Sequence, residues 1–408
     1  MARIELTQAR VRYFILGAFI TGLMILMFST ESVRTPTLET IKAPFGGGVE
    51  QAPQPPTVAP PHNDAPPPTV PGQISDHKAG KEILPAPVST DVDATEFMPL
   101  SEAEQYCAFR RFTPFPVRDR KRKVYDCIIV NTELEWLDIR LGQMASHVDY
   151  FVILEAELTF TDKKKPLYVL ENMPRFEKYK HKIIRHTLNI DGVQFRSTWE
   201  REAFSRNAMV NQVLPFLQGE QKPDVDDVII IADVDEIPRP DTITTLRNCE
   251  IPDALTLRSR MYYYSFQWLN RINGEWPHPQ AMLWKGEDTR EADKLRNSFN
   301  SIPALYNAAW HCSYCLGSLK DMVSKVTSFS HTEFNKPEFR DPAKILNRVR
   351  TGMDFFDRED SHFDRYEDNT DVPEFLLQNK DKYAYVLDRD PPDGNFPDAK
   401  ELIPDFAA

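Results

Sequence analysis

Asp227-Val228-Ile229-Ile230-Ile231-Ala232-Asp233-Val234-Asp235-Glu236-Ile237-Pro238 is an apolar run that ends in acidic residues and is then broken by proline. So short a run of β-branched residues predicts a strand buried on both faces of a sheet. The carboxylates stand where that strand leaves the sheet, and open α/β sheets bind ligands at that edge. In extended chain, residues i and i+2 point the same way, so Asp233 and Asp235 can converge on one point. Two convergent carboxylates suit a hard divalent cation. A solvated acidic turn is the plainer alternative, and the position behind a buried strand favours the metal.

The flanking segments predict more of the same sheet. Val124 to Val130 is a second buried-strand run. After it, Thr132 and Glu135 have the spacing of a capping box. Leu134, Leu137, Leu141, Met144 and Val148 recur at helical spacing, and Tyr150 to Leu154 is a third strand, ending at Glu155. Strand, helix and strand in so short a span predict a parallel, right-handed βαβ unit. Ile183-Ile184 marks another strand, and Trp199 to Leu217 a helix with Ala203, Phe204, Met209, Val210 and Leu214 facing inward. This alternation predicts an α/β, Rossmann-like sandwich with a mostly parallel central sheet. No Gly-x-Gly-x-x-Gly and no Gly-x-x-x-x-Gly-Lys-Ser/Thr occurs, which argues against dinucleotide and P-loop binding.

Ahead of this domain the composition changes twice. Val11 to Phe28 holds one charged residue, Arg12, and follows Arg3 and Arg10. As a helix it is roughly 27 Å long, at ~1.5 Å per residue, close to the ~30 Å bilayer core. The expectation is an uncleaved signal anchor at 11–28, a cytosolic tail at 1–10 and everything after it in a lumen or outside the cell. Residues 29–101 carry a dense proline cluster from Pro53 to Pro71 among Thr, Ser, Ala and Gln. Such a segment buries too little apolar surface to order itself and predicts an extended stem. The expected lumenal domain is 102–408.

The 408-residue chain has a formal charge of −12 and no long basic block, which excludes a nucleic-acid partner. Its five cysteines, Cys107, Cys127, Cys249, Cys312 and Cys315, predict one or two disulfides in an oxidising lumen and at least one remaining thiol. His311-Cys312-x-x-Cys315 lacks the second cysteine pair that a structural zinc site uses.

Several ordered blocks resemble glycosyltransferase family 17. They are DCIIVNTELEWLDIRL from Asp126, VDYFVILEAELTFT from Val148, DDVIIIADVDEIP from Asp226, AAWHCSYC from Ala308, SFSHTEFN from Ser328 and RTGMDFF from Arg350. The resemblance runs from about Tyr125 to Leu387. The family's characterised member has Asp-Ala-Asp-Glu where this chain has Asp233-Val234-Asp235-Glu236. The resemblance implies a GT-A fold, a UDP-sugar donor such as UDP-GlcNAc, Mn2+ or Mg2+ at the acidic motif, and inversion at the anomeric carbon. It also implies transfer to a mannose-containing N-glycan or glycoprotein by a single-pass type II protein of the Golgi membrane. A homo-oligomer is left open.

On that basis Asp235 is the expected main metal ligand and Asp233 the auxiliary one, reaching ribose or a metal-bound water. Glu236 orients a neighbouring group. His311, and second His331, are the imidazoles expected to complete the metal site. Glu155 is read either as a contact to ribose or uracil or as a cap on the next turn. Arg206 is a candidate for the uridine or phosphate side, whereas Arg140 reads as a structural salt bridge. Lys163 to Lys165 either touch diphosphate or are simply solvated. Among the aromatics of Met261 to Trp268, Tyr264 and Trp268 are the expected acceptor platform. Inversion needs a general base, for which Glu333, then Asp321, are the candidates. Two alternatives stand beside this reading: a same-fold transferase with another nucleotide sugar or acceptor, and an inactive, membrane-tethered glycan-binding protein.

Overall fold

The computed structural model describes residues 95–271, 275–404 and 406. The expected anchor at 11–28 and nearly all of the stem lie outside the described residues. Among the described residues, no helix is long and apolar enough to cross a membrane.

Four strands form the parallel half of the sheet. β1 (Val124–Ile129) lies between β2 (Tyr150–Glu155) and β4 (Val228–Asp233), while β3 (Ile183–Thr187) pairs with β2. The last residue of β4 is in register with Ile129 of β1. The β-branched runs are buried on both faces, as expected. Val124, Ile128, Phe151, Ile153, Val228 and Ile230 pack with Leu137, Leu141 and Met144 of the Leu134–Met144 helix. The alternate residues Tyr125, Cys127, Val152, Leu154, Ile229 and Ile231 pack with Met209, Val210 and Leu214. This is period-two burial with a helical layer on each side.

The other half departs from the expected mostly parallel sheet. β5 (Glu236–Pro238) follows the acidic turn, and β6 (Ala254–Tyr263), β7 (Ser265–Asn270), β8 (Gln280–Leu283), β9 (Ala304–Ser313) and β10 (Phe363–Arg365) come later. β8 is antiparallel to β4 and to β6, β7 to β6, β10 to β7, and β9 to β5; only β9 with β6 is parallel. The physical reason is the length of the connections. β6 and β7 are separated by Tyr264 alone, at φ +64°, and so tight a turn can join only antiparallel strands.

Two local expectations also need correction. Thr132 does not cap the Leu134–Met144 helix. Glu133 folds back instead, its Oε2 accepting from the backbone N–H of Asn131 and Thr132, while Glu135 pairs with Arg175. The expected Trp199–Leu217 helix is α-helical over Thr198–Ala208, capped by Ser197, and then widens into a π turn before Pro215 ends it. The cysteines form Cys107–Cys249 and Cys312–Cys315, leaving Cys127 as a buried thiol.

Candidate active site

The end of β4 opens into a cleft of about 1220 Å³. The chain does not run on extended through Asp235. It turns at Val234-Asp235 before entering β5, so the side-chain argument for extended backbone stops at Asp233. Arg140 holds this turn from behind. It is fully buried, donates to both oxygens of Asp126 at 2.6 Å, and reaches the carbonyls of Asp233 at 3.0 Å and Glu236 at 2.6 Å. The salt-bridge reading of Arg140 holds, with the added task of shaping the turn.

The two aspartates face the same cleft with different partners. Asp233 accepts from Arg206 Nη1 on Oδ1 and from Arg296 Nη2 on Oδ2, both at 2.9 Å. Burial pushes its pKa up, but the two guanidiniums more than offset this and hold the carboxyl well below the usual range. Its side chain remains 40 % exposed. Asp235 is nearly buried and accepts from Lys325 Nζ at 3.1 Å on Oδ2. Burial disfavours the Lys325 ammonium, yet Asp235 more than compensates and the net shift is upward. The other Asp235 oxygen, Oδ1, lies 3.8 Å from His311 Nε2. His311 arrives there because β9 pairs with β5, with His311 in register with Glu236.

Glu236 orients its neighbours, as expected. Its carboxylate accepts from Arg296 at 2.6 and 2.8 Å, from Trp276 Nε1 at 2.9 Å and from the backbone N–H of Asp233 at 3.0 Å. Three cations, Arg206, Arg296 and Lys325, therefore face three carboxylates, Asp233, Asp235 and Glu236, around the floor of the cleft. Among the described residues, no group of three or more His, Cys, Asp or Glu side chains is arranged to hold a metal by itself.

Asp233, Asp235, Arg206, Glu155, His311 and His331 all line the cleft. Glu155 takes the capping role offered for it: its two oxygens accept from the backbone N–H of Val169 and Leu170 at 3.0 Å, and Arg185 binds Oε1 at 2.7 Å. Arg206 bridges Asp233 to Glu202, whose Oε1 is 2.6 Å away. Lys164 and Lys165 are on the wall, while Lys163 donates to the Thr327 carbonyl. His331 stands nearer the solvent than His311, its Nδ1 2.7 Å from Glu333 Oε1.

Four expected site residues lie elsewhere. Tyr264 is fully buried and donates from its hydroxyl to the Met353 carbonyl at 2.7 Å. Trp268 is buried against Gly352, with Nε1 donating to the Val349 carbonyl. Both are core residues without a face to offer a sugar, because the β6–β7 hairpin turns inward. Asp321 sits in the first turn of the Leu319–Ser328 helix, sharing reciprocal hydrogen bonds with the Ser318 cap, outside the cleft. Glu333 is exposed and does not line the cleft; it reaches the site only through His331.

Arg296, Lys325 and Glu202 were missed in the sequence. Lys325 lies on an ordinary amphipathic helix and Arg296 on a five-residue one, and neither position carries a local signal. Among the aromatics of the cleft wall, Trp199 is about half exposed, whereas Tyr263 of β6 lines the cleft but is buried.

The protein resembles known sequences over most of this domain. The human β-1,4-mannosyl-glycoprotein 4-β-N-acetylglucosaminyltransferase is 25% identical over 306 residues, covering 66% of this chain and 56% of the human one. The Rattus norvegicus and Mus musculus proteins of the same name are each 24% identical, with the same 66% of this chain and 55% of theirs covered. The chain thus spans little more than half the length of these relatives. Among solved structures, a mannosyltransferase from Pyrobaculum calidifontis, in complex with GDP-Man and Mn2+, matches with a TM-score of 0.29 and 10% identity over 62% of this chain and 76% of that one. The model for glycosyltransferase family 17 matches residues 97–391, which takes in the whole acidic turn and every wall of the cleft, and the chain belongs to that family.

Proposed function

We propose that this protein is an inverting, GT-A-type transferase that moves N-acetylglucosamine from UDP-GlcNAc to a mannose-containing glycan, with a divalent cation, Mn2+ or Mg2+, held at the acidic turn. The activity named for the human, rat and mouse relatives supports the sugar and the acceptor class. One observation carries the cation. Asp235 Oδ1 and His311 Nε2 face each other at 3.8 Å, and both side chains are about 8 % exposed. That gap is too long for a hydrogen bond, and a carboxylate oxygen with an imidazole nitrogen is a donor pair that suits Mn2+. Asp233, 40 % exposed to the cleft, would be the second carboxylate. A bound divalent ion supplies stabilisation of the charge that develops on the departing diphosphate.

The chain's own residues do the rest. Arg206 and Arg296 hold Asp233 ionised and fix its direction. Lys325 neutralises Asp235 and presents a second positive charge to phosphate oxygens at the same floor. Arg140 keeps the turn from relaxing. Trp199, about half exposed on the rim, offers an apolar face for a sugar ring. The same reading has the catalytic domain in the Golgi lumen behind the anchor at 11–28, and two disulfides accord with an oxidising compartment.

The test uses the full chain purified in detergent. Thermal stability is measured with UDP-GlcNAc, UDP-galactose or GDP-mannose, each with and without Mn2+, and UDP release is followed with a mannose-containing N-glycan. UDP-GlcNAc with Mn2+ is expected to give the largest upward shift. Asp235→Asn is expected to lose that shift and at least about a hundredfold in turnover. A larger shift with another nucleotide sugar reassigns the donor; turnover indifferent to chelator and to Asp235→Asn removes the cation from the mechanism.

A further inference from the structure

Inversion requires a base for the acceptor hydroxyl, and neither Glu333 nor Asp321 lines the cleft. Eight carboxylates do: Glu157 and Glu171 are exposed, Glu133 accepts from the backbone N–H of Asn131 and Thr132, Asp293 accepts from Asn297, and the other four are engaged. Glu155 caps a helical turn, Glu202 is held by Arg206 and Ser330, and Asp233 and Asp235 are held by the cations of the floor. Three histidines line the cleft: His278, His311 and His331. His278 is tied to Gln280 through Nδ1, and His311 faces Asp235. His331 differs from both. Its side chain is 47 % exposed, its Nδ1 is 2.7 Å from Glu333 Oε1, and the ring is fixed edge-on to Trp199 at 4.6 Å and flanked by Phe329 and Phe334.

We propose that His331 is the general base of the transfer and that Glu333 is the residue that positions it; the proposal rests on the transferase reading above. Glu333 accepts from Nδ1–H, which sets the tautomer and leaves the Nε2 lone pair available. His331 lines the cleft, and its partner Glu333 does not. As the acceptor oxygen bonds to the anomeric carbon, its proton passes to His331 Nε2. The bond from that carbon to the phosphate oxygen breaks, and its electron pair leaves with the nucleoside diphosphate. The protonated imidazole, half open to solvent, then releases the proton to water.

The base is also tied mechanically to the donor floor. Ser330, the residue before His331, donates its hydroxyl proton to Glu202; Glu202 binds Arg206 at 2.6 Å, and Arg206 binds Asp233 at 2.9 Å. Thr198 Oγ1 donates to the Ser330 carbonyl at 2.9 Å. A bonded chain of side chains therefore sets the distance between the His331 segment and the acidic turn, as in-line attack demands.

The experiment uses the full chain, UDP-GlcNAc, Mn2+ and a mannose-containing N-glycan. His331→Gln is expected to lower kcat about a hundredfold to a thousandfold, with both KM values within threefold of wild type and the donor-dependent thermal shift retained. Glu333→Gln is expected to lower kcat about tenfold with KM equally unmoved. His331→Gln with wild-type kcat, with a raised acceptor KM alone, or without the donor-dependent shift overturns the assignment while the transferase reading stands. A wild-type protein that shows neither donor-dependent shift nor transfer overturns the transferase reading, and the role of His331 with it.

Discussion

Lys325 donates from Nζ to Asp235 Oδ2 at 3.1 Å, a contact made across 90 residues of chain. The ammonium lies where a cation-binding carboxylate needs its charge balanced. Two positive charges cannot share one carboxylate without cost, at several kcal/mol for near neighbours in a partly buried site. Replacing Lys325 by Met is therefore expected to tighten Mn2+ binding at least about threefold, read by the loss of free-Mn2+ signal in an EPR titration. Unchanged or weaker binding would separate Asp235 from any metal site. Transfer is expected to fall in the same variant, since the charge facing the diphosphate is gone.

Arg296 joins Asp233 to Glu236 and is itself 9 % exposed. Removing it leaves Glu236, fully enclosed, without its counter-charge. Arg296→Met is expected to cost about 3–5 kcal/mol, the range for breaking a buried pair. Urea denaturation measures this, and adding Glu236→Gln to the same chain is expected to recover part of the loss. A single variant within about 0.5 kcal/mol of wild type, the usual range for a surface substitution, would show the pair to be peripheral.

Burial, with Arg296 nearby, pushes the pKa of His278 down to about 3. A depressed folded-state pKa means that the neutral form is favoured by folding, so this contribution is complete above the unfolded value of about 6.5. It is lost progressively as pH falls from there toward 3. Between pH 7 and pH 5 the loss is on the order of 2 kcal/mol. Urea midpoints at these two pH values should fall more for wild type than for His278→Gln; equal falls would place the pH sensitivity elsewhere.

The hairpin aromatics are expected to behave as core. Trp268→Ala should cost about 3–5 kcal/mol, and Tyr264→Phe, which loses the bond to the Met353 carbonyl, about 1 kcal/mol. Gly352 closes the same cluster at φ +66°, and a Cβ there would lie 2.4 Å from the Trp268 ring. Gly352→Ala is thus strained by backbone and by contact together, and a lowered melting temperature is its expected signature. Acceptor KM for Tyr264→Phe should stay at the wild-type value; a selective rise in that KM would return Tyr264 to the sugar site.

What the sequence determined by itself is the parallel half of the sheet and the place of the acidic turn. Runs such as Val228 to Ala232 bury both faces, and that pattern is local, so it survives in the chain read alone. The spacing of Leu137, Leu141 and Met144 carried the covering helix in the same way. Glu236 and Arg140 were legible as an orienting carboxylate and a salt-bridge residue, but their partners were not, since Arg296 meets Glu236 across 60 residues and Arg140 meets the Glu236 carbonyl across 96. Only the tertiary structure decided the partners of the aspartates. Arg296 meets Asp233 across 63 residues, and His311 reaches Asp235 because β9 pairs with β5. Charge pairing depends on position in space, and nothing in a residue's neighbours along the chain encodes a contact so remote. The aromatics of β6 and β7 fell on the same divide: their composition suits a sugar platform and a core equally, and the inward turn at Tyr264 made them core.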